Sequence, residues 1–369
     1  MGWLPTGLLP EVRSGFDLDY ERASLILTAH LMGGYFGSAV GGVLADVSDR
    51  RRLLVAGTAV YALGLGLASC ASSLPAMLLA CALIGLASGP VVHTAQLILA
   101  DRARASGERL ERFLGRFNAL GSVGDLIGPA SLVAGLGFGL GWRSLFGLAA
   151  LVVASYGLGV AGTAAKVPAP VAFEGPESRP GWRAILEAVR DRRLLRLAVA
   201  LALLDALDEP FAGFVLLYLR DVVGWSAAAG NAALGVLVGS TLGGFALAAH
   251  LDWTRGRFMR ICLWLMGGAL AAFPLVPGVS LKLVCLGLVG LSTAGFYTAA
   301  LAEVLDLRPG LAGTATSVLS VVGALSLAFP PIAGALADHA GLRSSLLLYA
   351  ALPFVMLILV RGVRTDSRR

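Results

Sequence analysis

The sequence predicts an all-α integral membrane protein of two six-helix repeats, with eleven full transmembrane helices and a truncated first one. Three observations predict it. The 369 residues are 57% hydrophobic and only 14% charged, where soluble domains carry about 25% charged residues. The apolar residues gather in long blocks, not amphipathic stripes, and a block of roughly 20 matches a membrane-spanning helix. The chain also repeats itself across one long polar connection.

In order, the blocks fall near 24–46, 53–71, 74–99, 115–138, 144–163, 194–219, 227–250, 260–276, 281–303, 311–336 and 344–361. The opening MGWLPTGLLPE reads as the last third of a further span, with Glu11 marking its exit. Met1 is not followed by a basic stretch or a small-residue cleavage site, so the reading includes no cleavable signal peptide. Many of the 48 glycines lie inside the blocks, which suits helices packed through small-xxx-small contacts.

The connections alternate in charge. Of the 29 Lys and Arg, 23 fall in one alternate set of connections, among them Arg50–Arg52, Arg102–Arg116, Lys166–Arg196 and the C-terminal tail; 6 fall in the other. By the positive-inside rule the first set and the C-terminus are cytoplasmic, in a plasma (inner) membrane. The net charge of +6 is therefore a topology signal. It does not suggest a nucleic-acid surface, because the basic residues sit in short loops without interleaved aromatics. Cys70, Cys81, Cys262 and Cys285 are scattered singly. They form no metal-ligand or disulfide pattern and read as packing residues, and no cofactor is expected.

The connection from Lys166 to Ala184 divides the chain into an N-terminal bundle (1–163), a cytoplasmic linker (164–192) and a C-terminal bundle (193–369). A shift of 206 residues pairs Gly7 with Gly213, Gly37 with Gly243, Asp46 with Asp252 and Arg51 with Arg257. A shift of 200 pairs Gly141, Arg143 and Ser144 with Gly341, Arg343 and Ser344. Two parallel six-helix repeats form a known transporter layout. Under the first shift Met1 pairs with Leu207, so the first helix lacks about its first half relative to its twin.

The segment GVLADVSDRRR, Gly42 to Arg52, resembles the G-x-L-x-D-x-x-G-R-[RK] signature of the major facilitator superfamily. Gly42, Leu44, Asp46, Arg50 and Arg51 match, and Asp49 stands where the pattern has glycine. GDLIGP, from Gly124 through Gly128 to Pro129, is similar to the G-x-x-x-G-P motif of the antiporter branches, though the two glycines that usually follow are absent. The resemblance covers essentially the whole chain. It implies a secondary transporter working by alternating access. It also implies a latch in which Asp46 engages Arg51 and the positive N-terminal end of span eleven, near Gly310 to Thr314. Span four of many antiporter relatives embeds an arginine; the matching stretch here, ACALIGLASGP, has none.

Within the spans, LLDALDEPF carries Asp205, Asp208 and Glu209. On a continuous helix these share one face. A charge at the bilayer centre costs roughly 2.5–3.5 kcal/mol, so the stripe should face a cavity between the halves, where a partly dry carboxyl group takes up a proton more readily. Pro210 gives the helix a hinge. Asp205, one turn nearer the cytoplasm, should matter least of the three. Asp125 in span five could bind a cation or relay a proton, or make a structural hydrogen bond. His93, with Gln96 a turn on, is the weaker candidate, and Tyr297 and Thr298 could offer hydroxyls. No Arg or Lys lies deep in a span, which argues against a strongly anionic substrate. The expected partners are a small organic solute, protons and the lipid bilayer. The activity is export in exchange for protons, with proton-coupled uptake as the rival and a membrane enzyme unsupported by any nucleophile–base pair.

Overall fold

Backbone polar groups in lipid must be satisfied within their own segment, so helix is the expected element of such a chain. The computed structural model describes residues 3–47, 49–105, 110–162, 191–250, 254–307, 318–319 and 321–362, and every regular element among them is helical. The first half contains α1 (Leu4–Gly7), α2 (Leu9–Phe16), α3 (Tyr20–Val47), α4 (Arg50–Cys70), α5 (Leu74–Ala105), α6 (Leu110–Gly137) and α7 (Trp142–Gly162). The second contains α8 (Arg192–Ala206), α9 (Glu209–Asp221), α10 (Ala227–His250), α11 (Arg255–Ala272), α12 (Val279–Leu307), α13 (Phe329–Ala340) and α14 (Leu342–Leu359), with a 3-10 stretch at Ala324–Ala328. The chain divides into two compact units, Met1–Glu174 and Gly175–Arg369.

Eight helices among the described residues are long and apolar enough to cross a membrane: α3, α4, α5, α7, α10, α12, Val321–Ala340 and α14. The other expected spans differ for identifiable reasons. In α6 the described apolar stretch is Val123–Gly137. Span seven is split into α8 and α9. Arg255, Arg257 and Arg260 occupy the opening turns of α11.

In the first unit α3 packs on α5, α5 on α4, and α4 on α7. The α3–α5 contact is backbone on backbone. A Cβ at Gly33 would strike the Ala82 carbonyl, one at Gly37 the Leu86 carbonyl, one at Gly85 the His30 carbonyl, and one at Gly89 the Gly37–Ser38 backbone. Four-residue spacing puts these glycines on facing stripes, the arrangement by which membrane helices gain dispersion contacts that lipid cannot supply. His30 is buried in this seam.

The departure at Asp49 has a local cause. Its backbone is extended (φ −61°, ψ 113°) and its carboxylate accepts a hydrogen bond from the Arg52 N–H at 2.9 Å, capping α4. No positive φ is needed there, so glycine is not required, and a capping carboxylate contributes about 1 kcal/mol. The far end of α4 meets Arg143, whose Nη2 donates to the Ala71 carbonyl at 3.1 Å while its guanidinium lies 4.1 Å from the Trp142 ring. Trp142 in turn packs on Phe16 and Phe146.

The second unit repeats this pairing: α10 packs on α12, α12 on α11, and α11 on α14. Again glycine permits the approach, with Gly290 against the Leu237 carbonyl and Gly244 against the Leu291 carbonyl. Asp191 caps α8 through the Arg193 and Leu194 N–H groups. Arg255 pairs with Glu303 at 3.8 Å, tying α11 to α12. The turns before α7 and α14 differ despite their sequence match. Gly341 has φ 82°, whereas in the first unit the positive φ falls on Gly139 (78°) and not on its partner Gly141.

One basic side chain is unexpectedly buried. Lys282, in the first turn of α12, is 5% exposed. Its Nζ donates to the Phe273 carbonyl at 2.9 Å and lies 3.3 Å from the Tyr218 hydroxyl, which itself donates to the Pro274 carbonyl at 3.1 Å. It closes the C-terminal end of α11. A cation there satisfies an otherwise unmatched carbonyl and complements the helix dipole.

Candidate functional site

The acidic segment lies at a helix break. At the end of α8 the hydrogen bonds tighten: the Leu207 N–H donates to the Leu204 carbonyl at 2.8 Å and the Asp208 N–H to the Asp205 carbonyl at 3.3 Å. Asp208 leaves helical geometry (φ −93°, ψ −111°), and α9 begins at Glu209 with Pro210 next. Proline is tolerated in a first turn but offers no N–H to the carbonyl four residues back, at Ala206. The helix therefore stops and restarts.

The expected single stripe is thus divided. Asp205 sits on the carbonyl end of α8, Glu209 on the N–H end of α9, and Asp208 between them. Asp208 is exposed, while Asp205 and Glu209 are half-buried. The α9 dipole favours negative charge at Asp208 and Glu209, and the α8 dipole opposes it at Asp205, each by about 0.3–1 kcal/mol. The break puts Asp205 and Glu209 on different half-helices.

Neighbouring elements hold the break in place. Residues Pro210 to Leu219 of α9 are buried, and Phe211 and Phe214 pack on Tyr349 of α14 with ring centroids 5.7 and 5.9 Å away. The α8 segment touches α12, where Tyr297 lies in the electrostatic field of Asp205 and stays 42% exposed. It also touches the 3-10 stretch Ala324–Ala328, whose Ser326 is buried. The α8 segment thus packs beside a second interrupted segment and beside the helix that carries Tyr297. Sequence reasoning noted Pro210 but missed the second interruption, whose residues, ALSLA, carry no breaker. Thr298 is turned back on its own helix, donating to the Ala294 carbonyl at 2.8 Å.

Asp125 belongs to the first unit. It lies on α6. It borders a cleft of about 490 Å³ between α6 and α7. Its floor is the glycine face of α6: a Cβ at Gly121 or Gly124 meets nothing within 4 Å, and one at Gly128 only the Trp3 Cβ at 3.7 Å. Against the described residues of this unit the Gly124–Gly128 pair makes no close helix contact. Pro129 lies within α6.

Of the latch residues, Gly42 and Asp46 fall on the last turns of α3 and Arg50 opens α4. The side chains of Asp46, Arg50 and His93 lie outside the described residues, as does the segment Gly310 to Thr314. Arg51 is described. Its Nη2 donates to the Ala161 carbonyl at 2.7 Å, at the C-terminal end of α7. Among the described residues no cluster of His, Cys, Asp or Glu could hold a metal ion.

A family profile for the Major Facilitator Superfamily matches residues 1–329. The chain belongs to that superfamily. Among curated proteins it is similar to the uncharacterized transporter YgaY of Escherichia coli O157:H7, 32% identical over 150 residues, 40% of this chain and 36% of that one. It also matches the 3-(3-hydroxy-phenyl)propionate transporter of Escherichia coli K12, 30% identical over 144 residues, 38% of this chain and 34% of that one. These matches thus span only about a third of each relative's length. In fold it resembles the nucleoside transporter NupG, with a TM-score of 0.83 at 15% identity, covering 98% of this chain and 95% of that one. The protein is accordingly a multi-pass membrane protein of the superfamily.

Proposed function

We propose that the protein exports a small neutral or cationic organic solute in exchange for protons by alternating access. The carboxyl groups at the α8–α9 break load and release the proton. The observation that carries this reading is the break itself, which sets Asp205 at the carbonyl end of a half-helix that packs on the helix carrying Tyr297 and on a second interrupted segment. Discontinuous helices with backbone polar groups at mid-membrane are where transporters place substrate and coupling ions. A carboxyl group opposed by a helix dipole is easier to hold protonated, and protonation removes the penalty of carrying charge through a dry transition.

The layout behind this reading is eleven full helices and a shortened first one, in bundles 1–163 and 193–369 joined by a cytoplasmic linker at 164–192. The C-terminus is cytoplasmic and the membrane is the inner one, as the charge asymmetry of the loops supports. A neutral or cationic solute fits because the buried Lys282 is already hydrogen-bonded to Phe273 and Tyr218, leaving it no task at the break.

Proteoliposomes with an imposed pH gradient test the proposal. Exchange predicts that solute moves against the proton flow across a panel of neutral and cationic compounds. Movement of solute with the proton would replace export by uptake symport. A rate indifferent to the gradient would overturn proton coupling.

A further inference from the structure

We propose that the groove between α11 and α14 holds an anionic phospholipid, its headgroup between Arg257 and Arg361 and an acyl chain along Trp264 and Phe354. This goes beyond the transport reading and does not depend on it, because none of these residues belongs to the α8–α9 break.

The placement of four side chains leads to this partner. Trp264 of α11 meets Phe354 of α14 edge-on, with ring centroids 5.7 Å apart. The Phe354 ring covers Gly267, where a Cβ would lie 3.0 Å from it, so the aromatic pair is held against the helix seam. Trp264 is nevertheless 62% exposed. Arg257 precedes Trp264 by seven residues and Arg361 follows Phe354 by seven. Three crossings separate α11 from α14, so the two helices run in opposite directions. Both arginines therefore lie at the same end, each about 10 Å along the axis from the aromatic pair. The 3-10 turn Val360–Gly362, which carries Arg361, packs on α11. Helical spacing puts Arg257, Arg260 and Trp264 on one face of α11, and Phe354, Ile358 and Arg361 on one face of α14. All six are exposed except Arg260, which is half-buried.

This end of the groove is positive. Glu303 offsets Arg255 at 3.8 Å, and Arg257, Arg260 and Arg361 add three further cations. Guanidinium groups take phosphate oxygens in pairs. Beyond the arginines the exposed wall is apolar, which suits a ligand with a hydrocarbon chain and gives a soluble anion nothing to hold. A tryptophan one helix-depth inside a row of cations also marks a membrane interface. The charge asymmetry of the loops assigns this end to the cytoplasmic leaflet, where anionic lipids gather at basic clusters.

Native mass spectrometry of the full chain, delipidated in detergent and titrated with phosphatidylglycerol or phosphatidylcholine of the same acyl chains, tests the inference. Wild-type protein should bind its first phosphatidylglycerol at least about tenfold more tightly than phosphatidylcholine. A basic residue near a membrane surface strengthens the attraction about fivefold. Arg361→Gln, in an exposed turn, should therefore weaken phosphatidylglycerol by about that factor, and Arg257→Gln with Arg361→Gln should remove the preference. Trp264→Ala should weaken both lipids while the preference persists. Arg343→Gln, exposed at the opposite end of α14, should change nothing. Glycerol 3-phosphate, the headgroup phosphate without chains, should not displace the lipid. The inference is overturned if wild-type protein binds the two lipids alike, if Arg361→Gln and the double variant both bind as wild type, or if Arg343→Gln removes the preference equally. Displacement by glycerol 3-phosphate would overturn it in favour of a soluble anion, and a dimer mass in place of bound lipid would give the groove to a second copy of the chain.

Discussion

Arg51 and Arg143 close opposite ends of one helix pair. Arg51, at the start of α4, donates to the Ala161 carbonyl at the end of α7; Arg143, at the start of α7, donates to the Ala71 carbonyl just past the end of α4. The two helices pack along their length, and each supplies the cation that the other's C-terminus lacks. Carbonyls left without intrahelical partners are thereby satisfied, and both dipoles are complemented.

The reciprocal arrangement predicts that Arg51→Ala and Arg143→Ala each destabilise the protein by about 1 kcal/mol. Arg143→Ala should be the costlier, since it also gives up stacking on Trp142. Thermal unfolding in detergent measures both. Asp46→Asn, by contrast, should cut transport while leaving unfolding unchanged, which separates the latch proposed for Asp46 from the anchoring contact of Arg51.

Asp49 is expected to act through its cap. Asp49→Ala should cost about 0.5–2 kcal/mol and Asp49→Gly, which restores the family residue, only a few tenths. Equal losses for the two, measured by the same unfolding assay, would mean that the carboxylate contributes through something other than the Arg52 N–H.

The glycine seam between α3 and α5 predicts a sharp contrast between glycines of similar sequence context. Gly37→Leu drives a side chain into the Leu86 backbone and should prevent stable folding, beyond the roughly 1–3 kcal/mol of ordinary overpacking. Gly124→Leu should insert and purify like wild type. Yield and gel-filtration profile after extraction report both outcomes.

Much of this was legible in the sequence, and the exceptions have physical causes. Apolar blocks located eight membrane-length helices because the bilayer allows few alternatives. The matched glycines pointed to equivalent helix pairs, although the close contact in the second unit falls on Gly244, one residue past the matched Gly243. The break at Leu207–Asp208 was only half visible. Pro210 announced a hinge, but helical periodicity treated Asp205, Asp208 and Glu209 as one face, because spacing alone does not show where hydrogen bonds lapse. Lys282 escaped notice because it stands at the edge of a block, where a lysine usually reaches water; only the folded chain brings Tyr218 and Phe273 around it. The role of Asp49 was hidden by comparison with a pattern, although Asp before a helix is itself a capping signal.

Lys282 should be structural. Lys282→Met leaves the Phe273 carbonyl without its donor and should cost about 1–3 kcal/mol, with the pH dependence of transport unaltered. A shifted pH profile in that variant would instead assign Lys282 a part in coupling.

The account stands or falls on the carboxyl groups at the break, and the most direct measurement compares two kinds of transport by neutral variants in proteoliposomes. Asp205→Asn should abolish solute movement driven by a pH gradient while solute–solute exchange without a gradient continues. Asp208→Asn and Glu209→Gln should each lower the driven rate less, because the α9 dipole already favours their charge. The triple variant should exchange but not concentrate. If the triple variant still expels or accumulates solute against a gradient with the pH dependence of wild type, the break is only a wet wall and the proton is carried elsewhere.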